Sequence, residues 1–395
     1  MNTIYLDHAA ATPMRPEVRA AMEEAASTAF ANPSSQHAAG RTAKRLLEDA
    51  RERIVELVGG RAGGATRDRL VFTSGATEAN RMAMLGLARG GCLIAVSPRD
   101  HGSVISAETE LSRRGHAVRT LPLTPEGAVA RDALASLMQA AGGTTVLLTT
   151  TPVCSQTGLL DFLALDVASD AATNGVIALH ADSTQAAAWY PLNFADSLLT
   201  TMTLAPHKFG GPRGIGGLVI RAGTALDPLL PGPQELGLRG GTEAVTLAVG
   251  FARALELAAI ERDEVAPRVT SLRDQFEAQL IAAAIDAGLE AIVIGQRGSR
   301  APHITAVAIV GMDRQSLVMA ADLEGVCLST GTACSSGSSE PPVVLAAIGV
   351  PNTLTAGTIR ASFGRTTTPV DIDDAIRRLR RVFVRLGRSL SVECR

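Results

Sequence analysis

Between about residue 16 and residue 255, short apolar runs alternate with stretches whose apolar residues return every third or fourth position. Apolar runs of this length between turn residues predict strands, and their alternation with helical patterns predicts βα units on a mostly parallel sheet. The runs are Leu70–Thr73, Cys92–Val96, Thr145–Thr150, Val176–His180, Leu198–Leu204 and Gly217–Ile220, and the helix after the first of them runs through ATEANRMAMLGLAR. From about Leu255 the texture changes to a long helical stretch, a strand-like AVAIV, a Gly/Ser-rich segment and a last helix. That last helix has Thr368 as N-cap, Pro369 at its first position, and Ile372, Ile376, Leu379, Phe383 and Leu386 on one face. The pattern predicts an α/β unit over residues 16–255 and a smaller α+β unit made of residues 1–15 with 256–395.

Composition narrows the class of partner. A chain of 395 residues with 37 Lys plus Arg against 39 Asp plus Glu has a net charge of −2, which argues against a nucleic-acid or anionic-membrane binder. Twelve aromatics leave little for base stacking, and no run approaches the roughly 20 apolar residues that span a bilayer. The opening MNTIYLDHAA lacks the basic and apolar regions of a signal peptide, so the expected location is the cytoplasm. The five cysteines, Cys92, Cys154, Cys327, Cys334 and Cys394, show no paired metal spacing, so neither a disulfide scaffold nor a metal site is expected. Only two of the 37 basic residues are lysines, Lys44 and Lys208. Codon bias explains the rarity of lysine, but an amine that must lose its proton cannot be replaced by arginine.

Four constellations can carry chemistry. Thr73-Ser74-Gly75-Ala76-Thr77-Glu78 turns from a strand through glycine into a helix, and reads either as an ordinary α/β turn or as a phosphate cradle made by helix N–H groups and the Thr77 hydroxyl. No G-x-x-x-x-G-K-[ST] and no G-x-G-x-x-G after a strand is present to favour a nucleotide. His180-Ala181-Asp182-Ser183-Thr184-Gln185 follows the strand VIAL, where Asp182 is either a helix N-cap or a buried carboxylate facing a ligand at the carboxyl end of the sheet. Ala205-Pro206-His207-Lys208-Phe209-Gly210-Gly211 puts Lys208 just past a strand, either solvated or desolvated into a neutral nucleophile. Taken together, an amine, a carboxylate and a phosphate cradle at strand ends of one sheet match what pyridoxal phosphate requires. The fourth, Leu328-Ser329-Thr330-Gly331-Thr332-Ala333-Cys334-Ser335-Ser336-Gly337, embeds Cys334 among small residues, either as an incidental loop thiol or as a mobile nucleophile.

Nearly end to end, the chain resembles the pyridoxal-phosphate cysteine desulfurases of the NifS/IscS type, within the class V aminotransferases. YLDHAAATP, NPSSQHAAGR, VFTSGATEAN, DHGSVIS, HADSTQAA, HKFGGPRGIGG, LRGGTEA, LSTGTACSSGSSEP and IRASFGRTT occur in the family's order and at its approximate spacings. The resemblance implies a PLP-dependent transferase fold of the aspartate aminotransferase type and a homodimer that converts L-cysteine to L-alanine. By the same resemblance, Lys208 is the Schiff-base lysine, Asp182 the partner of the pyridine nitrogen, Gln185 the donor to the ring hydroxyl, and His101 the imidazole stacked on the ring. Ala76, Thr77 and His207 contact the phosphate, joined by Thr242 of the neighbouring subunit. Arg360 clamps the substrate carboxylate with Asn32 nearby, and Cys334 accepts the sulfur as a persulfide for an acceptor protein.

Two positions depart from the family pattern. Ser155 (or Gln156) stands where an asparagine usually touches the ring hydroxyl and substrate, and Ala205 stands where a serine usually binds phosphate. A lost charge-assisted hydrogen bond is worth about 1.5–3 kcal/mol, enough to weaken cofactor binding without abolishing it. Other readings of the same motifs are a cysteine C–S lyase or selenocysteine lyase that dispenses with Cys334, and a non-catalytic sulfur-carrier scaffold. Cys154, beside the departed asparagine position, is either a second redox-active thiol or an inert buried one.

Overall fold

The computed structural model describes residues 3–162, 177–331 and 342–393. After a short strand β1 (Ile4–Tyr5), α1 (Pro16–Thr28) and α2 (Ala38–Leu57), the chain enters β2 (Arg69–Thr73), α3 (Ala76–Leu87), β3 (Leu93–Val96), α4 (Gly102–Arg113), β4 (Ala117–Thr120), α5 (Arg131–Ala141) and β5 (Val146–Thr150). β6 (Ile177–Asp182), β7 (Thr201–Leu204) and β8 (Gly216–Ile220) complete a seven-stranded sheet in the order β2-β8-β7-β6-β5-β3-β4. β3, β4, β5, β6 and β7 pair parallel, while β8 runs antiparallel to both β2 and β7. All six expected strands are present. The run from Leu198 joins the sheet only at Thr201, because Ser197 and Leu199 are held in a turn by the Ser197 hydroxyl. The extra strand β4 lies on the sheet edge with mostly exposed residues, so it carries no apolar signal.

The central strands are apolar on both faces because helices cover both. Leu70, Ile94, Leu147, Leu148, Leu179, Leu218 and Val219 are all buried, and each such side chain contributes about 1.5–3 kcal/mol of hydrophobic stabilisation. The long helix α6 (Val245–Asp286) packs Phe251 and Leu255 into this core, then Val269, Phe276 and Leu280 into a second one. That second core is built on the antiparallel sheet β12-β10-β9, from β9 (Ala291–Val293), β10 (Ile304–Ile309) and β12 (Thr358–Ser362). Around it lie α7 (Arg314–Leu323), β11 (Val326–Cys327), α8 (Val343–Ala347), α9 (Asn352–Ala356) and α10 (Pro369–Glu393). The start of α10 is a reciprocal cap: Thr368 Oγ1 accepts from Asp371 N at 3.2 Å and Asp371 Oδ2 accepts from Thr368 N at 2.9 Å. Its face Ile372, Ile376, Leu379 and Phe383 is buried in the second core, as the periodicity predicts.

The first residues of the chain return to this second core. β1 pairs parallel with β11, Ile4 and Leu6 are buried there, and Asp7 bridges to Ser362 on β12. Among the described residues, no helix is long and apolar enough to cross a membrane, and no cluster of three His, Cys, Asp or Glu side chains could hold a metal ion.

Candidate active site

The carboxyl ends of β6 and β7 point the same way, and the segment Asp7–Thr12 crosses in front of them. Asp182 is the last residue of β6, and Lys208 ends a single helical turn, Pro206–Lys208, after β7. Lys208 Nζ donates to the carbonyls of Ala9 and Ala10 at 2.8 and 3.0 Å, and Gln185 Nε2 donates to the same Ala9 carbonyl at 2.8 Å. One carbonyl therefore brings the amine and the amide of two separate motifs together. Thr12 Oγ1 donates back to the Lys208 carbonyl at 3.0 Å, which fixes the segment on both sides of the lysine.

The same segment holds Arg360 on β12. Its Nη2 pairs with Asp7 Oδ1 at 2.7 Å and its Nη1 donates to the Ser155 carbonyl at 2.9 Å. Arg360 is buried, and its Nε has no hydrogen-bond partner among the described residues. A buried guanidinium donor left unsatisfied carries a desolvation cost that an incoming anion would relieve. Ser155 is thus tied to Arg360 through its backbone, and the neighbouring Gln156 Oε1 is buried without a partner among the described residues.

Asp182 is buried and well supplied with donors. Its Oδ1 accepts from Thr184 N at 3.1 Å and from Thr184 Oγ1 at 2.7 Å, and its Oδ2 accepts from Asn80 Nδ2 at 2.8 Å. The residues that follow it form turns and not a helix, so Asp182 caps no helix; its Oδ1 closes a local turn instead. His101 is the N-cap of α4, with Nδ1 accepting from Ser103 N at 3.1 Å.

Opposite these groups, α3 begins at Ala76 directly after Gly75, so its first-turn N–H groups face out of the helix end. A Cβ on Gly216 would lie 2.5 Å from the Gly75 carbonyl carbon, so only glycine lets β8 run this close beneath the turn. A Cβ on Gly75 itself would meet nothing within 4 Å, leaving open space above the helix end. Thr77 is exposed in that first turn, and Ala205 is fully buried. His207 is half-buried, and desolvation, then Lys208 and Arg213, push its pKa down to about 4.

Several expected residues, Thr77 among them, are not joined to this cluster by a described contact. Asn32 is exposed and its Oδ1 accepts from Ser34 N at 2.8 Å, a local turn. Thr242 is exposed on the segment before α6. Cys334 lies outside the described residues. Cys154 is buried in the apolar cluster with Leu159, Ile294 and Val344. The motifs gave no role to Asp7, Asn80, Ser103 or His303, all of which the fold brings to the site. His303 Nε2 lies 3.2 Å from Gln185 Oε1 and its ring stacks on Trp189 at 4.4 Å between centroids. A cleft lined by His8, Trp189, Lys208, His303 and Phe363 opens beside them.

Burial makes this site sensitive to acid. Desolvation pushes His8, His180 and His207 down to about 4 and holds His303 well below its usual value. A histidine depressed in the folded state binds its proton more readily once unfolded, so stability is full above about pH 6.5 and falls as pH drops toward 4. Each fully differential proton contributes a slope of about 1.4 kcal/mol per pH unit, less for the half-exposed His207. Urea unfolding of the cofactor-free protein should therefore show a midpoint that falls steadily from about pH 7 to about pH 5. A midpoint constant over that range would contradict the burial of these rings.

The model of the class-V aminotransferase family matches residues 4–374. A cysteine desulfurase IscS of Dictyoglomus turgidum is 36% identical over 388 residues, covering 97% of this chain and 95% of the relative. Among solved structures, a NifS-like protein from Rickettsia africae is 26% identical with a TM-score of 0.86, covering 97% of this chain and 99% of that one. SspA in complex with cysteine is 26% identical with a TM-score of 0.75, covering 93% and 100%.

Proposed function

Because the chain belongs to the class-V aminotransferase family, we propose that it is a pyridoxal-phosphate-dependent cysteine desulfurase that turns L-cysteine into L-alanine and passes the sulfur through Cys334 to an acceptor protein. The observation that carries this reading is the convergence on one segment: Lys208 and Gln185 share the Ala9 carbonyl, two residues from the Asp7 that holds Arg360.

The donor set suits pyridoxal phosphate. Lys208 offers a primary amine for the aldehyde, Asp182 a buried carboxylate for the ring nitrogen, and Gln185 an amide for the ring hydroxyl. The α3 N-terminus opens on empty space and has Thr77 in its first turn; with the cations Lys208 and Arg213 acting on His207, it suits a phosphate dianion. Ala205 removes one hydroxyl from that cradle, so the phosphate rests on fewer side-chain donors. Bound pyridoxal phosphate supplies the electron sink that makes the substrate Cα proton acidic.

The protein groups then have separable tasks. Arg360 receives the substrate carboxylate, with Nε as the donor that has no partner among the described residues. Lys208 Nζ takes the Cα proton, a task for an amine that can be neutral. The Cys334 thiolate forms an S–S bond to the substrate sulfur while the Cβ–S bond breaks; the electron pair stays with carbon, and protonation there yields alanine. Thr242 reaches the phosphate of a second copy in a homodimer, whose interface would cover the exposed Leu230 and Leu236 on the same segment. The reducing cytoplasm, where Cys334 remains a free thiol, is the compartment we assign.

Incubation with L-cysteine should give equimolar alanine and transferable sulfur, with the mass of one sulfur atom added to the tryptic peptide of Cys334. Alanine and persulfide formed at the wild-type rate by Cys334→Ala would overturn the reading, as would a product other than alanine.

A further inference from the structure

Two buried side chains to which this reaction assigns no step, Asn80 and Ser103, link Asp182 to His101 by hydrogen bonds, and two more, His180 and Thr201, branch from Asn80. Asn80, fully buried on α3, donates Nδ2 to Asp182 Oδ2 and to Ser103 Oγ, both at 2.8 Å, and its Oδ1 lies 3.1 Å from His180 Nε2. Ser103 Oγ lies 2.8 Å from His101 Nδ1, and His180 Nδ1 lies 2.9 Å from Thr201 Oγ1.

The polarity of this run follows from its two ends. A backbone N–H can only donate, so His101 Nδ1, which receives Ser103 N, is an acceptor. A carboxylate can only accept, so Asn80 turns its nitrogen to Asp182. The Ser103 hydroxyl is left to accept from Asn80 and donate to His101. Asn80 Oδ1 then takes the proton on His180 Nε2, and His180 Nδ1 takes the Thr201 hydroxyl proton. In this assignment each bond in the run pairs one donor with one acceptor, whereas a flipped Asn80 would set its oxygen against the Asp182 carboxylate.

We propose that Asn80 is a positioning residue that couples His101 to Asp182 through Ser103 and keeps the neutral His101 ring protonated on Nε2, so that His101 acts on the ligand as a hydrogen-bond donor and not as the proton carrier. Nε2 of this tautomer has no lone pair with which to take a proton. A proton added at Nδ1 would displace two donors and place a positive charge at the N-terminus of α4, where the helix dipole opposes it. Proton movement at Cα therefore falls to Lys208. The inference rests on reading Asp182 and His101 as neighbours of the cofactor ring, but its first test needs neither cofactor nor turnover.

Nitrogen-15 NMR of the full chain labelled at histidine, at neutral pH, should show His101 and His180 each with an unprotonated Nδ1 and a protonated Nε2. A protonated His101 Nδ1 in the wild-type protein overturns the proposal. Asn80→Asp keeps the shape and reverses the polarity, and should shift both rings' nitrogen signals and the visible absorption of the loaded protein. Its kcat should fall about 100-fold with KM for cysteine within about twofold, the scale of a misplaced catalytic group. Ser103→Ala, which removes the hydroxyl between Asn80 and His101 and keeps the backbone bond from Ser103 N, should lower kcat about 10-fold and leave His180 unchanged. If Asn80→Asp and Asn80→Ala both leave the His101 signals as in wild type, Asn80 does not position that ring.

Discussion

Replacing Lys208 by arginine is expected to reduce alanine formation by about 10⁴-fold or more, because in the proposed mechanism it removes both the covalent amine and the general base. Arginine keeps the positive charge and enough donors to reach the Ala9 and Ala10 carbonyls, so the crossing segment stays in place. Unfolding midpoints should therefore be near wild type while cofactor is no longer retained covalently after borohydride reduction. Activity within tenfold of wild type would exclude Lys208 as the amine. The contrast is pointed in this chain, where arginine stands at 35 of the 37 basic positions. Lys44, the other lysine, is exposed on α2, where any cation would serve.

A second large effect is expected at Arg360. Arg360→Gln should lower kcat/KM for cysteine by about 100-fold, mostly through KM, because one charge-assisted interaction with a carboxylate is worth about 1.5–3 kcal/mol. It should also destabilise the protein, since the Asp7 carboxylate loses the guanidinium that compensates it in a largely buried pair. Asp7→Asn separates the two effects. It removes the internal carboxylate that competes for the guanidinium, so KM should fall while the fold is weakened. An unchanged KM in Arg360→Gln would move the carboxylate site elsewhere.

The strands, the capped last helix and the positions of Lys208, Asp182 and Thr77 at strand and helix ends are legible because each depends on residues close in sequence. Thr368, Pro369 and Asp371 sit within one turn, and apolar strands buried on both faces announce themselves as runs. β4 was not legible, because an exposed edge strand needs no apolar residue. Asn80 and Ser103 were equally silent: an asparagine inside ATEANR reads as one polar position in a helix. Only the fold brings it against residues 23, 100 and 102 positions away. In the sequence Ser155 stands as a side chain in an asparagine's place, yet its described tie to Arg360 runs through its carbonyl, which any residue could supply.

The crossing segment also sets an order of events. Asp7 meets Arg360 across 353 positions, and Lys208 reaches Ala9 across 199. A ribosome releases residues 7–12 first and β12 almost last, so the half-made chain has an α/β sheet but no finished site. The Asp7–Arg360 pair can form only when nearly the whole protein has emerged. A product truncated before β12 would carry Lys208 and the Ala9 carbonyl it meets, but not the guanidinium proposed to position a substrate beside it.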